Sequence, residues 1–83
     1  MVSRKIKISC PDGIKSYKAN EIVQKSLKYQ SSVNIMHKDN VIDARSILTI
    51  LGAAIKKDDE IIIECQGADE QEALADVSMA VAV

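Results

Sequence analysis

An α+β fold follows from three features of the sequence: an open-faced two-layer sandwich in the order βαββαβα, with a four-stranded antiparallel sheet covered on one face by three helices. Short strand-like runs recur at residues 4–10, 32–37, 41–43 and 60–65; apolar residues between them fall at helical spacing; and turn signals punctuate the joins. The 83 residues make a single domain, 1–83, which can bury roughly 60–65% of the surface its unfolded chain exposes.

Arg4-Lys5-Ile6-Lys7-Ile8-Ser9-Cys10 alternates polar and apolar with period two, the pattern of a strand with one covered face. Pro11-Asp12-Gly13 ends it in a turn. From Ser16 onward Ala19, Ile22, Val23, Ser26 and Leu27 share one side while Lys25 and Lys28 turn to water, which predicts an amphipathic helix over 16–28. Ser32-Val33-Asn34-Ile35-Met36-His37 alternates again, Lys38-Asp39-Asn40 signals a hairpin, and Val41-Ile42-Asp43 returns as a short strand.

A short helix is expected from Ser46 to about Ala53, closed by the polar loop Lys56-Lys57-Asp58-Asp59. Glu60-Ile61-Ile62-Ile63-Glu64-Cys65 is the most β-branched run and reads as a central strand. Gly67-Ala68-Asp69 stops that strand and supplies Asp69 as N-cap of a last helix lined by Ala73, Leu74, Val77, Ala80 and Val81. The apolar tail 78–83 either completes the core or packs against another copy.

Composition sets limits on function. No apolar run approaches the ~20 residues that cross a bilayer, and Met1-Val2-Ser3-Arg4-Lys5 lacks the apolar block of a signal peptide; the chain reads as soluble and cytoplasmic. Cys10 and Cys65 are too few and too far apart for a zinc cluster, and they read as structural thiols of a reducing compartment, bridged only if their strands are neighbours. Net charge is −1, but residues 1–40 sum to +5 and residues 41–83 to −6. A basic half can attract phosphate-bearing partners or nucleic acid, although two tyrosines are the only aromatics available for base stacking. Nothing in the sequence asks for a metal or an organic cofactor.

Two helix starts carry the functional argument. In the first, Asp12-Gly13-Ile14-Lys15-Ser16-Tyr17-Lys18 puts Lys15 and Lys18 beside a helix N-terminus, where a bound phosphate or sulfate is conceivable. In the second, Asp43-Ala44-Arg45-Ser46-Ile47-Leu48-Thr49-Ile50-Leu51 places a hydroxyl where the helix begins, a basic residue before it and large apolar residues after it. As an N-cap the Ser46 hydroxyl would accept a backbone N–H, worth ~1 kcal/mol. As a phosphosite it would carry about −1.5 to −2 charges beside Arg45 and a helix dipole. Ile47, Leu48 and Leu51 lie at i, i+1 and i+4, so either part of this helix docks partners or all of it completes the core.

With Pro11-Asp12-Gly13-Ile14, Val41-Ile42-Asp43-Ala44-Arg45-Ser46-Ile47-Leu48 and Gly67-Ala68-Asp69-Glu70-Gln71-Glu72-Ala73-Leu74, the chain resembles the HPr family of the bacterial phosphotransferase system over nearly its whole length, above all the catabolite-repression paralogues that lack the phosphocarrier histidine. The resemblance implies the sandwich described above, a phosphocarrier site at the first helix start and a regulatory serine at the second. It implies as partners an HPr kinase/phosphorylase, a catabolite-control transcription regulator or phosphotransferase components, with the chain a monomer or a homodimer that exchanges strands.

The family's carrier histidine, arginine and proline match Lys15, Tyr17 and Lys18, so the carrier site is degenerate, whereas its regulatory serine matches Ser46, preceded by Arg45 and followed by the apolar patch Ile47, Leu48 and Leu51. A lysine amine, with a reference pKa of about 10.4, is neutral in roughly one molecule in 2,500 at pH 7, a handicap of about 4.6 kcal/mol against an imidazole-like nucleophile. These residues suggest a non-enzymatic regulatory module that binds proteins through the Ser46 helix. A working or accessory phosphocarrier and a small anion- or nucleic-acid-binding domain are the alternatives. The remaining histidine, His37, is expected at the surface or in the sheet, away from either helix start.

Overall fold

The computed structural model describes residues Met1–Ala82, with side-chain surroundings through Val81. The elements follow the expected order: β1 (Val2–Lys7), α1 (Ser16–Leu27), β2 (Ser32–His37), β3 (Asn40–Asp43), α2 (Ile47–Gly52), β4 (Glu60–Gln66) and α3 (Glu70–Ala82). The sheet runs β1-β4-β2-β3 with every neighbouring pair antiparallel, so the β-branched run is an interior strand.

Alternation decides which side chains meet the helices. Ile61, Ile63 and Cys65 of β4 point inward with Val33 and Ile35 of β2 and Ile42 of β3, and the helices cover them with Ile22, Ile50, Val77 and Val81. Phenylalanine and tryptophan are lacking, so the core is aliphatic. Ile8, Ile22, Ile35, Ile50, Ile61 and Ile63 are all essentially inaccessible to solvent, each adding roughly 1.5–3 kcal/mol of transfer free energy. Of the apolar tail, Ser78, Ala80 and Val81 are buried while Met79 is exposed; Val83 lies outside the described residues. Among the described residues no helix is long and apolar enough to cross a membrane.

The structure corrects the first strand. It ends at Lys7 rather than Cys10. Ile8 still exchanges two 2.8 Å backbone hydrogen bonds, its N–H donating to Asp59 and its carbonyl accepting from Asp58, but the partner is now a loop that turns at Asp58 with φ +73°. β1 and β4 are neighbours, yet Cys65 pairs with Val2, at the opposite end of β1 from Cys10. The Cys65 thiol is free and buried, and burial, reinforced by nearby acidic residues, raises its pKa.

Oppositely charged halves of the sequence meet in space. Asp76 of α3 receives Lys25 at 3.2 Å, Lys28 at 3.4 Å and the Tyr29 hydroxyl at 2.7 Å, fastening α1 to α3. Asp69 stands before α3 as expected, but its carboxylate reaches across the chain, accepting the backbone N–H groups of Gln30 and Ser31 and the Ser31 hydroxyl. The Glu70 carboxylate turns back instead, accepting the Gly67 N–H at 3.2 Å and pairing with the N-terminal ammonium at 3.0 Å.

The hydrogen bond to Asp76 pushes the Tyr29 hydroxyl up to about 12 from its ordinary 10.0. A raised folded value means that stabilisation is complete below pH 10 and fades as pH climbs through about 12. The urea midpoint of the protein should therefore fall over that alkaline interval, and Tyr29→Phe should flatten this part of the profile; an unchanged slope would show that the Tyr29–Asp76 bond does not contribute. In acid the sign reverses. Hydrogen bonds hold Asp69 and Asp76 below their ordinary 3.8, so their contribution is present above that value and is lost as pH falls through the lower folded values.

Candidate functional site

The first helix start is set by a backbone approach. Gly13 adopts φ +69°, and a Cβ there would sit 2.4 Å from the Ile55 carbonyl oxygen, so only glycine fits. The Ile14 N–H donates to that same carbonyl at 3.0 Å and the Ile14 side chain is buried, fixing where α1 begins. Lys15 is the extended N-cap residue, with no side-chain cap and its amine in solvent. Tyr17 is 81% exposed. Lys18 has a different fate from Lys15: its Nζ donates to the Ala80 carbonyl at 3.1 Å, where the last turn of α3 leaves carbonyls without helical partners. The two lysines therefore do not form one anion-facing pair.

The second helix start is shaped by Asp43. Its carboxylate accepts the Arg45 N–H at 2.9 Å and its carbonyl accepts the Ser46 N–H at 3.0 Å, a tight turn that delivers Ser46 to the head of α2. Ser46 is the N-cap residue by position, but the expected side-chain cap is not made. At the third helical position Thr49 turns its own hydroxyl back onto the Ser46 carbonyl at 2.9 Å, an arrangement that leaves the half-buried Ser46 hydroxyl outside the helix hydrogen bonds. Arg45 is equally informative. Its guanidinium donates to the Tyr29 and Ser31 carbonyls, both at 2.8 Å, and ties the α2 approach to the α1–β2 loop.

Helix α2 divides its apolar residues. Ile50 is fully buried and Ile47 half-buried against the core, whereas Leu48 is 79% exposed and Leu51 is also solvent-facing. Leu51, at the end of α2, and Lys15, at the head of α1, meet across one shallow cleft of about 280 Å³, lined also by Asp12, Ile14, Ala54, Ile55 and Lys56. Ala54 on its rim takes φ +53°, a left-handed conformation that an alanine adopts at a cost.

His37 is in the sheet, as expected, but it is buried rather than at the surface. Its Nε2 lies 2.9 Å from Asp59 Oδ2, which also accepts the Lys56 N–H at 3.0 Å. The Lys56 N–H and then His37 hold the Asp59 carboxyl below its ordinary range. A buried histidine so placed braces, through Asp59, the loop whose Lys56 lines the cleft.

Comparison with known proteins agrees with this architecture. A family profile described as the PTS HPr component phosphorylation site matches residues 2–82. The HPr-like protein Crh of Bacillus subtilis is 30% identical over 74 residues, covering 89% of this chain and 87% of Crh. Its crystal structure, described as a swapped dimer, superposes with a TM-score of 0.77 over 98% of this chain and 93% of that one. The phosphocarrier protein HPr of Buchnera aphidicola is 28% identical over 78 residues, covering 94% and 92% of the two chains. The crystal structure of the phosphocarrier HPr from Bacillus anthracis matches with a TM-score of 0.90 at 26% identity, over 96% of this chain and 95% of that one.

The cleft backbone supplies a paired test. Ala54→Gly should stabilise the protein by about 1 kcal/mol by relieving the left-handed alanine, raising Tm by roughly 4–8 °C. Gly13→Ala should instead destabilise it by more than about 2 kcal/mol, because the new methyl has no room beside Ile55. Thermal unfolding of both variants checks the geometry, and a neutral Gly13→Ala would contradict it.

Proposed function

The chain belongs to the HPr family, and we propose that within it this protein is a regulatory protein-binding module of the sugar phosphotransferase and carbon catabolite control network, without histidine phosphocarrier activity. The observation that carries the reading is the side chain at the head of α1. Lys15 is exposed there, while the sole histidine is buried against Asp59 in the sheet. Accepting phosphate on nitrogen needs a lone pair, and an ammonium group near pH 7 has none to offer. Tyr17 brings no guanidinium to the site, and Lys18 is engaged with α3.

Ser46 has the opposite character. Its hydroxyl makes no helix cap, so replacing its proton with a phosphoryl group from ATP, with release of ADP, removes no hydrogen bond on which α2 relies. The new dianion stands beside exposed Leu48 and Leu51 and converts an apolar docking surface into one that is apolar and acidic. Phosphorylation then selects partners with little change in the fold. Arg45 acts as a positioning residue, because its hydrogen bonds to the Tyr29 and Ser31 carbonyls hold the turn that presents Ser46. An HPr kinase/phosphorylase is the modifying partner in this reading, and a catabolite-control transcription regulator or phosphotransferase components are the readers.

A second reading, an accessory or working phosphocarrier, draws support from the family profile, which is described by its phosphorylation site. Two labelling reactions separate the readings. Phosphoenolpyruvate with Enzyme I should leave no acid-labile phosphate on the protein, and stoichiometric labelling would establish the carrier instead. ATP with an HPr kinase should give acid-stable phosphate that maps to Ser46 and disappears in Ser46→Ala. Equal labelling of Ser46→Ala would remove Ser46 from the mechanism.

A further inference from the structure

Among the described residues no layer covers the face of the sheet opposite the helices, and its side chains are ordered in rows across the strands. In the middle row Lys5, Ile62, Met36 and Val41 are register neighbours from β1 to β3. Ile62 and Met36 are half-buried and Val41 is 70% exposed, giving an apolar strip with one lysine at its end. At one side of the strip Lys7 is the register neighbour of Glu60, whose carboxylate reaches the Lys5 amine at 3.6 Å; just past the end of the ladder the β2–β3 turn carries Lys38, at φ +56°, and Asp39, and all four residues of this row are exposed. The charge order across the sheet is therefore plus, minus, plus, minus. On the other side lie Ser3, Glu64, Asn34 and Asp43.

These rows are complementary to their own reversal. A twofold axis parallel to the strands, running between the inner strands β4 and β2, exchanges β4 with β2 and β1 with β3 in a second copy. It sets Ile62 on Met36 of the second copy, and the methylenes of Lys5 over its Val41. It opposes Lys7 to Asp39 and Glu60 to Lys38, so the alternating row meets its inverse. In the third row Glu64 meets Asn34 and Asp43 meets Ser3, acceptor against donor. No like charges stand directly opposite one another, which is the condition for an isologous contact.

We propose that the open sheet face is a self-association surface, on which a second copy of this chain packs face to face about that twofold axis. Strand spacing and rise give the face a span of roughly 20 by 20 Å; burying it in both copies removes on the order of 1,000 Å² from water, the low end of specific interfaces. The dimer is correspondingly weak, reversible and responsive to salt. It leaves the α2 surface and Ser46 outside the contact, so it is independent of the regulatory reading above. It also differs from strand exchange, which keeps the copies interlocked and equilibrates slowly.

Sedimentation velocity on the full chain from about 10 µM to 1 mM tests the proposal, with dissociation expected in the high-micromolar range for so small a contact. Glu60→Lys should raise the dissociation constant about tenfold, since the altered pair occurs twice in the dimer. Glu60→Lys combined with Lys38→Glu should return it to within about threefold of the parent, because the swapped row is again its own complement. Met36→Lys should abolish association while circular dichroism reports an intact fold. A parent that stays monomeric at the highest concentration overturns the proposal, as does a dimer indifferent to Glu60→Lys or unrestored by the double exchange.

Discussion

The approach of the Pro11–Ile14 turn to the backbone of Ile55 and Lys56 is the constraint on which the candidate site depends. Gly13 allows the two chains to touch, and the Ile55 carbonyl binds the Ile14 N–H where a side chain at position 13 would otherwise intrude. That contact places the head of α1 against the exit of α2. Lys15 and Leu51 then share a cleft although 36 positions separate them in sequence. The His37–Asp59 pair supports the same loop from the sheet side, through the Asp59 contact with the Lys56 N–H. Cleft geometry is thus a property of backbone packing, and it survives when the chemistry of residue 15 changes.

A second set of polar contacts organises the α1–β2 connection. Asp69 satisfies the N–H groups of Gln30 and Ser31, while Arg45 satisfies the carbonyls of Tyr29 and Ser31. Donors and acceptors of this one turn, of which only Ser31 is buried, are answered by an acid near one end of the sequence and a base from its middle, so that none of these groups is left unpaired. Ser31 is closely overlain by Gly67, where φ is +152° and a Cβ would lie 2.6 Å from the Ser31 hydroxyl oxygen. The Arg45 guanidinium is therefore engaged in holding the turn, and the large apolar side chains that α2 turns to solvent are Leu48 and Leu51.

Elements were legible where the signal is local. Alternation located β2 residue for residue, helical spacing located α1 to within one residue, and the β-branched run identified β4 as interior. Two of the misses involve contacts that no local window encodes. Lys18 looks like any surface lysine until α3 brings the Ala80 carbonyl to it, and Asp69 looks like a simple cap until the fold brings Gln30 and Ser31 within reach. His37 falls on the inward side of an alternating strand, a signal that was present in Val33 and Ile35 and pointed to burial. Ser46 holds the N-cap position without a side-chain cap, and Thr49, three residues on, donates its hydroxyl to the Ser46 carbonyl.

The two helix starts differ in what a change of side chain costs the fold. At the first, the backbone is fixed by Gly13 and Ile14, and Lys15 makes no side-chain cap. No hydrogen bond that starts α1 comes from the side chain of residue 15. At the second, Asp43, Arg45 and Thr49 each hold part of the turn through their own hydrogen bonds, and the serine between them takes no part in the cap. The neighbours maintain the geometry, and under the proposed regulatory reading the hydroxyl is the group left to be modified. If Ser46 is modified as proposed, the added charge breaks no hydrogen bond of the turn, which is the physical requirement for a switch that changes partners and leaves the fold intact.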